Sequence, residues 1–478
     1  MNMKENSNQI MYVIWLSLVA SLGGFLFGYD TAVISGTVDH VKAQFSLNDI
    51  TTGWYVGCAL AGSIAGVLFA GSLSDKYGRK LVLFLAAFLF SISGIGCMIA
   101  ANEIELVISR ILGGIGIGVA SVVSPLYIAE ISIPSFRGRL VSMYQLAITV
   151  GFLGAYLANF GLLSYSESLL AKGATEGLYN KIFATEVWRG MLGMEAVPAV
   201  VFLSVLFFIP ESPRWLIVKG KELKASLILK RIYGEHQADI EISNVKNLIN
   251  QEKETNWRML LQPGFRTALF IGVSLAMLGQ LMGVNAVLYY GPTIFKESGL
   301  SSGDSLFYQV MVGLVNMLTT ILALIIIDKV GRKQLVYWGV SGMIAALMLI
   351  GFYFTMGTEL HLSQIYLLIF FLFYIFACAI SICAVIFVLL SEMYPVKVRG
   401  AAMSIAGLSL WIGTYLIGQL TPVMLTSLTP AGTFFFFAVM CVPYILIVWK
   451  LLPETTGKSL EEIEEMWMNK GKGGGHKV

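Results

Sequence analysis

Twelve stretches of this chain are each apolar and long enough to cross a bilayer, which restricts the possible folds more than any single motif does. They lie near residues 11–36, 53–73, 80–101, 105–131, 140–162, 188–209, 267–291, 305–327, 334–357, 363–391, 401–426 and 431–452. A helix crossing the hydrocarbon core needs about 20 predominantly apolar residues. The runs are continuous rather than alternating, so they read as helices and not as strands of a membrane barrel. Composition agrees, with 56% hydrophobic and 13% charged residues against about 25% charged in soluble domains. The expected class is an all-α membrane protein with twelve spans.

The charged punctuation between the runs occurs twice. LSDKYGRK (Leu73 to Lys80) is followed by AEISIPSFRG (Ala129 to Gly138), and IIDKVGRK (Ile326 to Lys333) by SEMYPVKVRG (Ser391 to Gly400). Each repeat places a Glu seven residues before an Arg-Gly pair, Glu130 with Arg137 and Glu392 with Arg399. The chain therefore reads as a duplication. Its expected organisation is an N-terminal six-helix bundle over 1–209, a linker with short helices over 210–266, a C-terminal six-helix bundle over 267–453 and a tail over 454–478. Two homologous membrane halves are the architecture of secondary transporters, whose substrate site lies between the repeats.

Basic loops stay on the cytoplasmic side of a membrane. Placing the amino terminus and every second loop inside leaves only Lys42, Lys172, Lys181, Arg189 and Lys296 outside and Arg110 within a span, out of 32 Lys and Arg residues. Both termini are expected to be cytoplasmic. The first run is too long for a signal-peptide core and no small-residue cleavage pattern follows it, so it reads as a span. The net charge of +3 follows from the loop bias, and no basic patch with interleaved aromatics points to nucleic acid. All five cysteines, Cys58, Cys97, Cys378, Cys383 and Cys441, fall inside spans and read as small packing residues. No ligand spacing calls for a metal and no motif calls for a cofactor.

Between Pro210 and Arg266 lie 17 of the 61 Asp, Glu, Lys and Arg residues. KELKASLILKRIYG and DIEISNVKNLINQEKE space their apolar residues helically, which predicts short amphipathic helices on the membrane surface. The tail opens PETTGKSLEEIEEMW, a helix start, and ends in a Gly/Lys-rich run expected to be disordered. Small residues recur four apart in Gly62 with Gly66, Gly114 with Gly118 and Gly279 with Gly283. GGIGIG (Gly113 to Gly118) follows no strand, so close helix packing explains it better than a dinucleotide loop.

Asp30 in the first span and Arg110 in the fourth sit where a charge costs about 2.5 to 3.5 kcal/mol at a helix centre, which makes each a functional candidate and each the natural partner of the other. A carboxylate so placed keeps its charge beside a guanidinium and takes a proton when the pair separates. A permanent structural ion pair is the alternative. Glu195 in the sixth span is a second intramembrane acid, either a proton relay or a bridge between helix ends. In the seventh span, GQLMGVNAVLYYGP carries Gln280, Asn285, Tyr289 and Tyr290 among glycines and a proline that permit a broken helix. Gln145, Asn316 and Trp411 on spans 5, 8 and 11 could complete a pocket in which amides bond hydroxyls and an aromatic face stacks on a ring. Interhelical hydrogen bonding without a ligand is the alternative.

The chain resembles the sugar porter family of the major facilitator superfamily over almost its whole length. The residues that carry the likeness are GGFLFGYDTAVISG, GSLSDKYGRK, RILGGIGIG, the Glu130 to Gly138 stretch, PESPRWL, GQLMGVNAVLYY, DKVGRK, SEMYP with VRG, and PETTGKSLEE. It is most similar to bacterial proton-linked xylose and hexose permeases. The resemblance implies two six-helix bundles, alternating access and proton-coupled transport of a pentose or hexose, because coupled members carry Asp where Asp30 stands. It also implies that Asp30 with Arg110 is the proton site, beside which Glu195 stands as a further candidate for coupling, and that Gln145, Gln280, Asn285, Tyr289, Asn316 and Trp411 line the sugar site, with Phe27 and Phe387 as added candidates. Asp75, Arg79, Glu130, Arg137, Glu211, Arg214, Asp328, Arg332, Glu392 and Arg399 look like a cytoplasmic ion-pair latch, individually weak and so releasable. The pattern is broken on three spans: Gly279 replaces a glutamine, Cys383, Ala384 and Phe387 replace the tenth span's Gly-Pro-x-x-Trp, and Leu410 replaces an amide. Such changes shift preference between sugars. The expected setting is a multi-pass protein of a bacterial inner membrane, working as a monomer with sugar and protons as its partners. A passive facilitator, a proton-coupled polyol transporter and a non-transporting sugar sensor are the rival readings. An enzyme is not expected, for want of any nucleophile-base arrangement.

Overall fold

The computed structural model describes residues 3–134, 136–173, 175–251, 262–357, 359–394 and 398–452; the side chains of 3–7, 236, 248–251, 263–264, 328, 387 and 391 also fall outside the description. The expected tail helix and disordered terminus lie outside the described residues. Among those described there is no strand. Twelve helices are long and apolar enough to span a membrane: Asn8–Gly36, Asp49–Tyr77, Arg79–Ile99, Glu103–Ile131, Arg137–Ala171, Val187–Phe208, Phe265–Glu297, Ser302–Ile327, Arg332–Met356, Gln364–Leu390, Arg399–Ser427 and Thr429–Lys450. They are called spans 1 to 12. Each covers most of one of the twelve apolar runs, spans 3, 6, 9, 10 and 12 stopping a residue or two short of the run's end, and span 5 continues beyond its run to Ala171.

The chain divides into two compact units, Met1–Ser46 with Cys58–Lys253 and Leu47–Gly57 with Glu254–Val478. The duplication is visible in their packing. In the first unit span 1 packs on span 5, span 3 on span 4 and span 3 on span 6. In the second, span 7 packs on span 11, span 9 on span 10 and span 9 on span 12, which is the same set six spans later.

Both Asp-Lys-x-Gly-Arg-Lys turns depend on their glycine. Gly78 has φ 99° and Gly331 φ 92°, a left-handed backbone that other residues adopt at a cost. The chain thereby reverses within a few residues and delivers Arg79 and Arg332 to the first positions of spans 3 and 9. The small-residue pairs of spans 2 and 4 pack as expected. A Cβ on Gly114 would overlap the Ala59 carbonyl, and one on Gly62 the Ile111 carbonyl, so the two backbones touch. The third pair behaves differently. Gly279 makes no such close approach, and Gly283 instead breaks span 7 at φ 89° with a phenyl ring, Phe437, in its side-chain space.

Prolines interrupt the hydrogen bonding of several spans. Pro198 cannot donate to the Met194 carbonyl four residues back, and span 6 divides at Met194–Glu195, where Glu195 N–H bonds Leu192 (3.2 Å) and Val197 N–H bonds Met194 (3.2 Å). Pro292 likewise frees the Leu288 carbonyl, and the Gln309 amide of span 8 donates to it at 3.2 Å and to Val287 at 3.3 Å. Pro422 frees the Gly418 carbonyl, and the Tyr290 hydroxyl fills it at 2.6 Å. In hydrocarbon each such carbonyl needs a partner, and these three have one.

The segment after span 6 forms three short helices, Pro213–Val218, Glu222–Tyr233 and Glu235–Gln251. Ser212 caps the first, accepting from Trp215 N–H at 3.2 Å with Pro213 at the first helical position. Trp215, Leu216, Ile217, Ala225, Leu229, Ala238 and Val245 form its core. Trp215 Nε1 donates to the Asp75 carbonyl (2.9 Å) and Tyr233 Oη to that of Ser132 (3.2 Å), which seats these helices on the first unit.

Candidate functional site

In the first unit the buried charges meet. Arg110 on span 4 donates from Nη1 to Asp30 Oδ1 on span 1, and both side chains are almost wholly buried. Gly113, one turn beyond Arg110, makes the room: a Cβ there would collide with Ser93 Oγ and stand 2.9 Å from Asp30 Oδ2. Asp30 Oδ2 and Ser93 Oγ make no hydrogen bond among the described residues. Span 3 connects this pair with the second acid. Ser93 borders Asp30 through Gly113, and the next residue, Gly94, packs on Ala196, the neighbour of Glu195. Glu195 is buried in the break that Pro198 imposes, and its Oε1 also accepts no hydrogen bond among the described residues. Two buried carboxylates, each with a bare oxygen, and one guanidinium therefore share one region of the first unit. Acids with unused oxygens can gain and lose protons without dismantling a hydrogen-bond network.

The sugar-site candidates of the first unit are half-buried. Phe27 lies one turn before Asp30, and the Gln145 amide of span 5 makes no hydrogen bond among the described residues. In the second unit the amides form a chain. Asn285 Nδ2 donates to Gln280 Oε1 at 2.7 Å across the break of span 7, and Thr414 Oγ1 of span 11 donates to the same oxygen at 3.2 Å. Tyr289 (3% exposed), Asn316 (9%) and Trp411 (8%) are buried in this unit. The break is held by Tyr374 of span 10, whose hydroxyl donates to the Met282 carbonyl at 2.7 Å. The side chain of Phe387 lies outside the described residues. Sequence reasoning missed Thr414 and Gln309. Thr414 stands three residues beyond Trp411, about one helical turn, and that spacing was the available signal.

The latch candidates divide. Arg79 makes a two-pronged contact with Glu130 at 2.9 Å through Nε and Nη2, and its Nη1 lies 3.1 Å from Asp75. Arg332 reproduces the pair in the second repeat, with Nη2 at 3.0 Å from Glu392. Each of these pairs joins elements of one unit. Glu211 departs from an ion-pair role. Its carboxylate accepts backbone N–H groups of Arg79 (2.9 Å), Lys80 (3.1 Å) and Ser212 (2.8 Å), because the start of span 3 presents unpaired donors to it. Burial pushes its carboxyl up, against the pull of those donors. Arg399 bonds the Tyr394 carbonyl at 3.2 Å, and Arg137 is exposed with no ion pair among the described residues. The Asp328 side chain lies outside the description, and Arg214 has a polar or ring contact of its own.

Comparison with known proteins agrees with this architecture. The family described as "Sugar (and other) transporter" matches residues 16–467. The arabinose-proton symporter of Bacillus subtilis is 39% identical over 464 residues, covering 97% of this chain and 96% of that protein. The D-xylose-proton symporter of Escherichia coli is 36% identical over 502 residues, covering 98% and 97%. A solved structure of the major facilitator superfamily proton:xylose symporter XylE bound to 6-bromo-6-deoxy-D-glucose superposes with a TM-score of 0.77 at 36% identity, covering 97% of this chain and 100% of that one. The chain is a multi-pass membrane protein and not an enzyme; it belongs to the sugar transporter family of the major facilitator superfamily.

Proposed function

We propose that this protein is a proton-coupled symporter of a monosaccharide, a pentose or a hexose, working by alternating access. The observation that carries the proposal is the buried Asp30–Arg110 pair, in which one carboxylate oxygen faces the guanidinium while the other has no hydrogen-bond partner among the described residues. The ion pair stabilises the deprotonated carboxylate. A proton arriving from outside neutralises Asp30 and releases Arg110, and the second buried acid, Glu195, takes part in that exchange. The relatives named above are arabinose-proton and xylose-proton symporters, which supports coupling and the substrate class. The sugar is held by Gln145 with Phe27, and by Gln280, Asn285, Tyr289, Asn316, Phe387 and Trp411. Thr414 joins this set through its bond to Gln280. A hydroxyl-rich ring matches amides that both donate and accept. The ion pairs of Arg79 and Arg332 belong to a cytoplasmic latch, both termini face the cytoplasm of a bacterial inner membrane, and the protein acts as a monomer.

Uptake of a radiolabelled sugar panel into proteoliposomes tests the reading, with and without an inward proton gradient, for wild type and Asp30→Asn. One sugar is expected to accumulate against its gradient in the wild type. The variant is expected to lose accumulation while retaining exchange. Equal uptake with and without the gradient would leave a facilitator, and uptake of polyols alone would replace the monosaccharide.

A further inference from the structure

Span 10 contains a turn of π-helix, Ala379–Cys383, inserted between Gln364–Cys378 and Ala384–Met393. In a regular α-helix residues five apart point about 140° away from each other around the axis. The wider π-turn brings them to one side, and here it places Cys378 Sγ 3.6 Å from Cys383 Sγ. Both thiols are free. Cys378 is buried and Cys383 is partly open. The remaining cysteines, Cys58, Cys97 and Cys441, are buried and form no disulfide.

The turn sits at a mechanically sensitive point of the second unit. A Cβ on Gly339 of span 9 would overlap the Ser381 side chain, so the turn lies directly on the backbone of span 9. On another side, Gly279 of span 7 leaves room for Ile382, whose Cγ2 would stand 3.4 Å from a Cβ at that position. Four residues before Cys378, Tyr374 holds the broken turn of span 7 through the Met282 carbonyl. A covalent tie across the π-turn would therefore fix the segment on which the breaks of spans 7 and 10 rest.

We propose that Cys378 and Cys383 form an oxidisable dithiol site that takes a hydroperoxide and, once converted to a disulfide, slows the conformational cycle. The sulfur of Cys383, the less buried residue of the pair, attacks the peroxide, the O–O bond breaks, and a sulfenic acid forms as one water leaves. Cys378 sulfur then displaces the hydroxyl from Cys383 sulfur, forming the S–S bond and a second water. Two thiols lose two electrons and two protons, and one hydrogen peroxide is reduced to two waters. Closing the sulfurs from 3.6 Å to a bond of about 2.05 Å requires the two side chains to turn toward each other. A thiol reductant reverses the reaction.

The chemical test does not depend on which solute is carried. Purified full-length protein is treated with hydrogen peroxide, unreacted thiols are alkylated, and the peptide containing both cysteines is weighed. It is expected to be lighter by two hydrogen atoms and to carry no alkyl group, with both changes reversed by dithiothreitol. A peptide still alkylated at both positions would overturn the site. Transport is then compared before and after peroxide in wild type, in Cys378→Ala, in Cys383→Ala, and in a variant lacking Cys58, Cys97 and Cys441. A roughly tenfold fall is expected, equivalent to about 1.4 kcal/mol on the rate-limiting step. It should be confined to chains that keep both cysteines of span 10. Equal inhibition of Cys378→Ala, or a disulfide that leaves transport unchanged, would overturn the regulatory part.

Discussion

The two repeats descend from one pattern yet bury different chemistry. The first buries charge: Asp30, Arg110 and Glu195 lie among spans packed closely through Gly113, Gly114 and Gly62. The second holds neutral polar groups: the amides of Gln280, Asn285 and Gln309 and the hydroxyl of Thr414 lie along span 7, where the helix is broken and backbone carbonyls need donors. Charges respond to protons and fields, whereas neutral amides match hydroxyls and change little with pH. The two units thus share the same helix packing, while one buries charged side chains and the other neutral hydrogen-bonding ones. The two Arg–Glu pairs, Arg79 with Glu130 and Arg332 with Glu392, remain alike in both.

The contrast is broken most directly at Arg110. Arg110→Ala leaves Asp30 buried without its cation, and removing one partner of a buried pair costs about 3–5 kcal/mol. Thermal unfolding in detergent should show a large loss, mostly recovered in the double variant Asp30→Asn/Arg110→Ala. Equal losses in the single and double variants would mean that the pair is not held by charge. A smaller effect is expected in the second unit. Gln280→Ala strips the acceptor from Asn285 and Thr414, which costs about 1–3 kcal/mol in unpaired groups. Sugar KM should rise while dependence on the proton gradient persists, and loss of coupling instead would erase the distinction between the halves.

The smallest effect lies outside the spans, at Glu186. Burial pushes its carboxyl up, but hydrogen bonds from Gln44 (3.0 Å) and Arg189, with the charges of Arg189 and Lys181, outweigh burial and hold it below its ordinary value of 4.5. Its folded form therefore binds a proton less readily than the unfolded chain. Its contribution to stability is complete above pH 4.5 and disappears as pH falls through the lower folded value. Glu186→Gln should lower stability slightly at neutral pH, leave it nearly unchanged at pH values well below the folded one, and so flatten the acid limb of a stability-pH profile.

Much of this site was legible because the residues that carry it are costly where they stand. Asp30, Arg110 and Glu195 were conspicuous in apolar runs, and the search for a partner joined the first two correctly. The Gly279/Gly283 pair was harder to read. The same four-residue spacing packs spans 2 and 4 but at Gly283 breaks a helix, since spacing records the absence of a side chain and not the sign of φ. Glu211 shows a similar ambiguity. A carboxylate near arginines suggests ion pairing, but the unpaired N–H groups at the start of span 3 were nearer.

The sequence by itself determined the twelve spans, the duplication and the location of the intramembrane charges, because hydrophobic length and the cost of charge in lipid are local properties read one segment at a time. Tertiary structure alone decided which donor answers which orphaned carbonyl: Gln309 for Leu288, Tyr290 for Gly418 and Tyr374 for Met282. It also decided that a π-turn brings two cysteines into contact. Hydrogen bonds between spans depend on the rotation and offset of one helix against another, which arise from packing many side chains at once and have no signature in a single stretch of chain.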